Sequence, residues 1–546
     1  MKTINLIRNS PYHASWRRRL VLIPLGLVVL LAILPIAQAV SPAPDGGYPG
    51  GNTAEGHSAL LSLTTGTYNA AVGFFSLRSN TEGNLNTATG AGALFLNTAD
   101  ENTATGAAAL LTNTTGLRNT ATGAFALFAN TEGSFNTATG DQALFSNTTG
   151  NVNTAIGAGA LTNNTTGDHN TAIGGDFVLF NNTTGSFNTA VGVDALAFNT
   201  IGGDNTATGA FALFSNTEGS FNTATGWQAL YSNTAGVSNT ANGDSSLFSN
   251  TTGNGNTASG NGALYGNTEG EGNTATGNSA LTHNITGSFN TANGVNSLFN
   301  NTTGSNNTAS GLNALLHNTS GDGNTATGDS ALFSNTQGIR NTAYGWGALD
   351  ENTTGSDNTA IGYFAGADLT GSANVCIGVA VPGEAGVNNT TWIQNVYASV
   401  ANGRQVYVNA TNKIGTLASS RRYKNEIKPM AKASEAIFLL RPVSFRYKKE
   451  VDPTSLLSFG LIAEEVAEVD PTLVTPDRDG KPETVRYEAV NAMLLNEFLK
   501  AHAKLQQQQA TIEKQQKQIQ AITTGLQKVS DQLELKMPSL RTTDNH

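Results

Sequence analysis

Two periodic patterns run along the chain and do not overlap. Over residues 52–378 the apolar and polar positions recur every seventeen residues, with single slips to sixteen or eighteen. Each period carries Asn-Thr-Ala-x-Gly, then a Leu, then a second Asn, usually followed by Thr and a further Gly. Strong copies run from Asn86, Asn102 and Asn119 through to Asn358, with weaker ones at Asn52, Asn69 and Asn374. A fixed period of this size marks a solenoid. Seventeen residues are too few for a helix pair and suit two short strands joined by two tight turns. Gly and Asn supply the positive-φ turn positions. Ala, Leu and often Phe are expected to face inward. Stacking sets Asn over Asn, so amide ladders can satisfy turn groups. About twenty rungs spaced ~4.8 Å apart give a rod of ~95 Å.

The second pattern is a heptad. Phe498, Leu505, Ile512, Ile519, Leu526 and Leu533 lie seven apart, with Ala501, Gln508, Gln515, Ile522, Val529 and Lys536 three residues after each. This predicts a coiled coil over 498–536, whose Gln layers help fix register and strand number. One rung of the roll offers a thin interior, and lateral association of three rolls would bury more of it. The expected assembly is a homotrimer. Residues 379–418 read as a β neck, with Trp392-Ile393, Val406-Tyr407-Val408 and Lys413-Ile414-Gly415 between Asn and Gly turns. Residues 419–500 have the ordinary charge and mixed patterning of a small α+β domain. Phe445 and Tyr447 alternate there as core positions of a strand, and 461–469 read as an amphipathic helix carrying Glu464 and Glu465. The expected fold class is therefore mainly β: a parallel β-roll or solenoid, then a small α+β domain ending in a coiled coil.

At the N-terminus Arg17, Arg18 and Arg19 precede an apolar run from Leu20 to Ile36 and the small-x-small triplet Ala37-Gln38-Ala39. Residues 1–39 read as a signal peptide cut between Ala39 and Val40. The rival is an uncleaved signal anchor, the one route by which the chain would contact a membrane. Either way the expected location is outside the cytoplasm, at the cell surface or extracellular. Residues 40–51, rich in Pro and Gly, form a stalk.

Charge and rare residues narrow the chemistry. The net charge of −10 is unevenly spread. Residues 40–418 hold 5 Lys/Arg against 22 Asp/Glu, a surface that repels phosphate, so no nucleic-acid partner is expected. A single cysteine, Cys376, excludes a disulfide framework and a Cys-based zinc site. The seven histidines are scattered, so neither a metal nor another cofactor is expected. Asn-x-Thr triplets such as Asn113-Thr114-Thr115 could accept glycans, but their lockstep with the repeat favours turn ladders. Thr-x-Thr on the strand could form an ice-binding lattice, yet the fourth motif position is Thr in only 8 of 17 strong copies. No carboxylate pair recurs at a fixed offset, which leaves a glycosidase site without support along the roll.

Candidate chemistry sits in Ala418-Ser419-Ser420-Arg421-Arg422-Tyr423-Lys424. A neutral Lys amine can take a serine proton once burial or nearby cations lower its affinity for the proton. No histidine lies between His317 and His502 to serve as a local triad base. The order that follows is Ile427-Lys428-Pro429, Leu440-Arg441-Pro442-Val443-Ser444-Phe445-Arg446-Tyr447, Phe459-Gly460-Leu461-Ile462-Ala463-Glu464-Glu465-Val466, Pro471-Thr472-Leu473-Val474 and Val485-Arg486-Tyr487-Glu488-Ala489-Val490. As an ordered set over about 419–525 it resembles the C-terminal intramolecular chaperone of phage endosialidases and tailspikes. That resemblance implies a domain that trimerises, guides folding of the fibre before it, and then cuts itself off with a Ser-Lys dyad. By position Ser419 would be the nucleophile, Lys424 the base, and Ala418–Ser419 the scissile bond. Where the family often has Asp after the nucleophile, this chain has Ser420, a fallback nucleophile. The repeats resemble the head β-rolls of trimeric autotransporter adhesins, whose usual period is shorter. The preferred reading is an exported trimeric fibre or adhesin made by a self-cleaving serine endopeptidase that turns over once in cis. Its ligand would be a surface glycan or another cell-surface group. One alternative is a tailspike-like glycan-binding or glycan-degrading fibre; another keeps the C-terminal domain as an uncleaved trimer clamp.

Overall fold

The computed structural model describes residues 48–395, 406–408, 414–415, 420–449, 451–452, 454–477 and 479–536. The proposed signal cleavage at Ala39–Val40, and Ala418 and Ser419, lie outside them. Among the described residues no helix is long and apolar enough to cross a membrane. The chain divides into two compact units, residues 1–399 and 400–546.

The first unit is a parallel β-solenoid. Its strands run from β1 (Thr53–Glu55) to β21 (Thr391–Ile393), three residues each and one per rung. Each pairs in register with the next. In β6 (Thr137–Thr139) and β7 (Thr154–Ile156), Thr137 lies over Thr154, Ala138 over Ala155 and Thr139 over Ile156. The central Ala is buried and its neighbours face outward. The sheet continues into the stretch read as neck, since β21 pairs in parallel with β20 (Val375–Ile377).

Two expectations about the rung are corrected. There is no second strand. The side opposite the strand is a run of turns in which Gln142, Leu144 and Val152 take φ values of 57°, 53° and 57°. A left-handed non-glycine residue costs about 1–2 kcal/mol, and the same positions recur in rung after rung. The cost is offset because these turns make ladder bonds of their own. Leu144 N donates to Ala160 O at 2.9 Å, and Ser146 N to Thr162 O at 2.9 Å. Alternating left- and right-handed residues turn the chain around a buried Leu, a geometry no extended strand provides.

The second correction concerns Phe. The interior of a typical rung is two Ala, one Leu and two Asn, as in Ala138, Ala143, Leu144, Asn136 and Asn147, all fully buried. The aromatic after the Leu lies half-buried on the outside, where it stacks on its counterpart. Phe128 and Phe145 have ring centroids 5.0 Å apart and nearly parallel planes.

The expected amide ladders are present, and there are two. Asn136 Nδ2 donates to Asn119 Oδ1 at 3.2 Å and to Gly150 O at 2.8 Å. Asn147 Nδ2 donates to Asn130 Oδ1 at 2.8 Å and to the same Gly150 O at 3.0 Å. Asn113 of the second ladder is fully buried, with its amide donating to Asn97 and Gly116, so it has no room for a glycan. Glycine is required at the strand's end. Gly140 has φ 137°, and a Cβ there would meet Gly157 O at 2.4 Å.

The second unit is small and mixed. It holds an antiparallel pair, β22 (Tyr407–Val408) with β23 (Ile414–Gly415). Next come 3-10 turns at Arg421–Tyr423 and Ala431–Leu439. A hairpin of β24 (Val443–Arg446) and β25 (Leu457–Gly460) leads to α1 (Ala463–Val469). A second hairpin, β26 (Val474–Pro476) with β27 (Pro482–Val485), leads to α2 (Tyr487–Glu534). The buried cluster is Val466, Leu473, Val485 and Met493. Phe445 is half-buried, but Tyr447 lies beyond the strand and is exposed, so it is not a core residue.

Candidate functional site

The residues after the candidate nucleophile form a short exposed arm. Arg421–Tyr423 make one 3-10 turn, which ends as Lys424 returns to extended backbone and donates its N–H to Arg421 O. The Arg422 guanidinium lies 4.8 Å from the centroid of the Tyr423 ring. Every residue from Ser420 to Pro429 is exposed. Among the described residues the Lys424 amine has no hydrogen-bond or ion-pair partner. A serine–lysine pair needs its amine neutral and shielded, and water around Lys424 opposes both. A single chain therefore leaves the candidate base, Lys424, exposed.

Nearby the chain builds a polar cluster that sequence spacing did not single out. Ser434, fully buried in the second 3-10 turn, bonds to Glu497 of α2. Asn496 Nδ2 donates to Ser434 Oγ at 2.6 Å, and Lys500 Nζ reaches the same oxygen at 3.2 Å. Lys500 also pairs with Glu497 at 2.6 Å and Glu435 at 3.7 Å. The Lys500 ammonium and the Ser434 hydroxyl hold the Glu497 carboxyl below the usual carboxylate range. With its hydroxyl buried and its lysine engaged by two carboxylates, this cluster is a clamp rather than a second dyad. It ties the segment after the arm to the long helix. Glu465 of the amphipathic helix pairs with Arg441, whose Nε donates at 3.0 Å. Tyr487 Oη accepts from Leu461 N at 3.0 Å and joins the start of α2 to the end of the first hairpin.

The unit leaves much apolar surface uncovered. Phe438, Leu439, Leu456 and Phe459 are 66–79% exposed. Along α2 every residue from Phe498 to Glu534 is exposed, including Leu505, Ile512, Ile519, Leu526 and Leu533. A side chain placed every seventh residue on a helix stays on one face, so this is a continuous, unpartnered apolar seam.

Residues 419–475 match the family described as the chaperone of endosialidase. The matched stretch begins at Ser419 and covers the arm, the Ser434 turn, the first hairpin, α1 and most of β26. No curated protein and no solved structure matches the chain. Within the matched stretch the structure places Lys424 on the surface, and Ser419 lies outside the described residues, as does Ala418, which precedes the match.

Proposed function

We propose that this chain is the precursor of an exported, homotrimeric β-roll fibre. Its C-terminal unit would bring three chains together, guide folding of the roll, and then cut the chain next to Ser419. The observation that carries this reading is the apolar surface of α2 and its neighbours, left open on a unit whose residues 419–475 match a chaperone family. Open apolar area of this extent marks an interaction site, and the heptad spacing selects other copies of the same helix. Three copies would also cover the arm, exclude water from Lys424 and supply the shielding that the single chain lacks.

The chemistry then balances as follows. Lys424 takes the Ser419 hydroxyl proton as Oγ attacks the Ala418 carbonyl carbon. The C–N bond breaks, the proton passes to the leaving nitrogen, and an ester joins Ala418 to Ser419. Water hydrolyses the ester and leaves a carboxylate at Ala418 and a free amine at Ser419. The signal segment at Ala39–Val40 provides export, and the roll is the surface or adhesive module.

Mass analysis of the purified wild-type product tests both ends at once. A larger fragment ending at Ala418 and a smaller one starting at Ser419 are expected, with Val40 at the mature N-terminus. Ser419→Ala, Lys424→Ala and Lys424→Arg should each give an uncut trimer, because arginine keeps its proton. A monomer by light scattering would remove the trimer. A trimeric wild type that never cuts would make the domain a permanent clamp.

A further inference from the structure

The outer aromatic column of the roll is interrupted at several rungs, Thr162, Ala197 and Thr282 among them, and a groove opens beside Thr282. Phe214, Tyr231, Phe248 and Tyr265 stack rung on rung with centroids 5.0 Å apart. The next rung has Thr282 in this position, so no ring covers the far face of Tyr265, which is 40% exposed. Beyond this gap lies an open groove of about 780 Å³, lined by Tyr265, His283, Asn300, His317 and a row of Thr residues that includes Thr302 and Thr319. The repeat sequence departs from its own pattern at these same rungs. Gly266, His283, Asn300 and His317 occupy successive copies of one position, which is Ser in many other rungs.

The side chains in the groove are held in place. His283 stands edge-on to Phe299, with Nδ1 3.1 Å from Phe299 O. His317 stands edge-on to Phe333, with Nδ1 3.2 Å from Asn300 Nδ2. A carbonyl oxygen requires a proton on His283 Nδ1, which leaves its Nε2 an acceptor. Donation by Asn300 makes His317 Nδ1 an acceptor, which puts the proton on Nε2. The groove thus presents an acceptor, a donor, an amide oxygen and hydroxyl oxygens beside one open aromatic face; the hydroxyls already donate along the roll, Thr302 to Thr319 O and Thr319 to Thr336 O, and are left to accept.

We propose that this groove binds a neutral, linear oligosaccharide. Three observations select that class. No Asp, Glu, Lys or Arg lines the groove, so nothing there compensates a charged ligand. The backbone is already committed to the rung ladder, with Gly266 N bonded to Thr282 O, His283 N to Phe299 O and His317 N to Phe333 O. An extended peptide would find no edge to pair with. What remains is a run of side-chain donors and acceptors at rung spacing with a ring to stack on, which suits a chain of hydroxylated rings. From Gly266 to Ser334 the groove spans four rung steps, ~19 Å. The groove is complete within a single chain, so binding there is tested separately from trimerisation and cleavage.

The test titrates the full-length protein with four neutral tetrasaccharides: maltotetraose, cellotetraose, β-1,4-mannotetraose and chitotetraose. Tetragalacturonate serves as an anionic control. At least one neutral probe should bind and the anionic one should not. Thr282→Phe restores the aromatic that most rungs carry and closes the groove, so it should keep the circular dichroism of the roll while weakening binding at least about tenfold. Tyr265→Thr removes the open ring and should do the same. Failure of every neutral probe, preference for the anionic probe, or unchanged affinity in both variants would overturn the proposal.

Discussion

A buried asparagine amide is costly unless both its ends are used, and the roll uses both at two positions in nearly every rung. Removing one member shows what the ladder contributes. Asn147→Ala deprives Asn130 Oδ1 of its donor and Asn164 Nδ2 of one acceptor, in a fully buried setting. A loss of about 2–4 kcal/mol is expected, read as a lower denaturation midpoint with an unchanged fold at low denaturant. The protein contains its own example of a broken ladder. The period from Asn86 to Glu101 is one residue short and places Ala99 where other rungs have Gly. Asn97 Nδ2 then donates to Ala99 O, and Asn80 Oδ1 is left without a partner. Cys376 gives a second residue-level test. It is fully buried, and burial pushes its thiol up to about 11, so almost no thiolate exists at neutral pH. Alkylation by iodoacetamide should be negligible in the folded protein and rapid in denaturant. Prompt labelling of the native protein would mean that the last rungs open freely.

At the scale of elements, what could be read in the sequence follows from what repeats. The parallel stack, the buried Ala and Leu and the amide ladders were legible because every rung restates them. The missing second strand was not, because Leu144 and its equivalents take a left-handed backbone that Leu does not favour by itself. Packing and ladder bonds impose it. The outward Phe was misread for a related reason: an apolar side chain after a buried Leu carries no signal that the turn has swung it outside. The long helix and its seam were plain from heptad spacing. The clamp was not, since Ser434 and Lys500 are 66 residues apart and join only through the packing of the second 3-10 turn on α2. The clamp should also respond to pH. Glu497 lies below the usual carboxylate range in the folded state, so its stabilising contribution is complete above the unfolded value and is lost as pH falls through the depressed one. Glu497→Gln should lower the melting temperature of the C-terminal unit at neutral pH and match wild type at acid pH. An equal difference at both pH values would show that the carboxylate charge is not what the clamp uses.

For the whole molecule, the proposed function has the two units divide the labour of folding. The roll is held by contacts between one rung and the next, so a rung gains stability only from neighbours already in place. Pairing errors between near-identical rungs are the natural hazard of such a chain. Removal of residues 419–546 should therefore give misfolded or aggregated roll. Recovery of native trimers from the truncated chain, by light scattering and circular dichroism, would show the domain to be dispensable for assembly.

In-register stacking of one unit after another has a further consequence: the rod is a ruler graduated in single repeats. Excision of residues 205–221 joins Asp204 to Asn222 and brings Thr189 opposite Thr223, the same pairing with one step removed. The shortened protein should fold as before, with both amide columns unbroken and its length reduced by ~4.8 Å. The length of the roll is thus set by copy number. A gene that gains or loses seventeen codons lengthens or shortens the roll by one rung and leaves its construction alone.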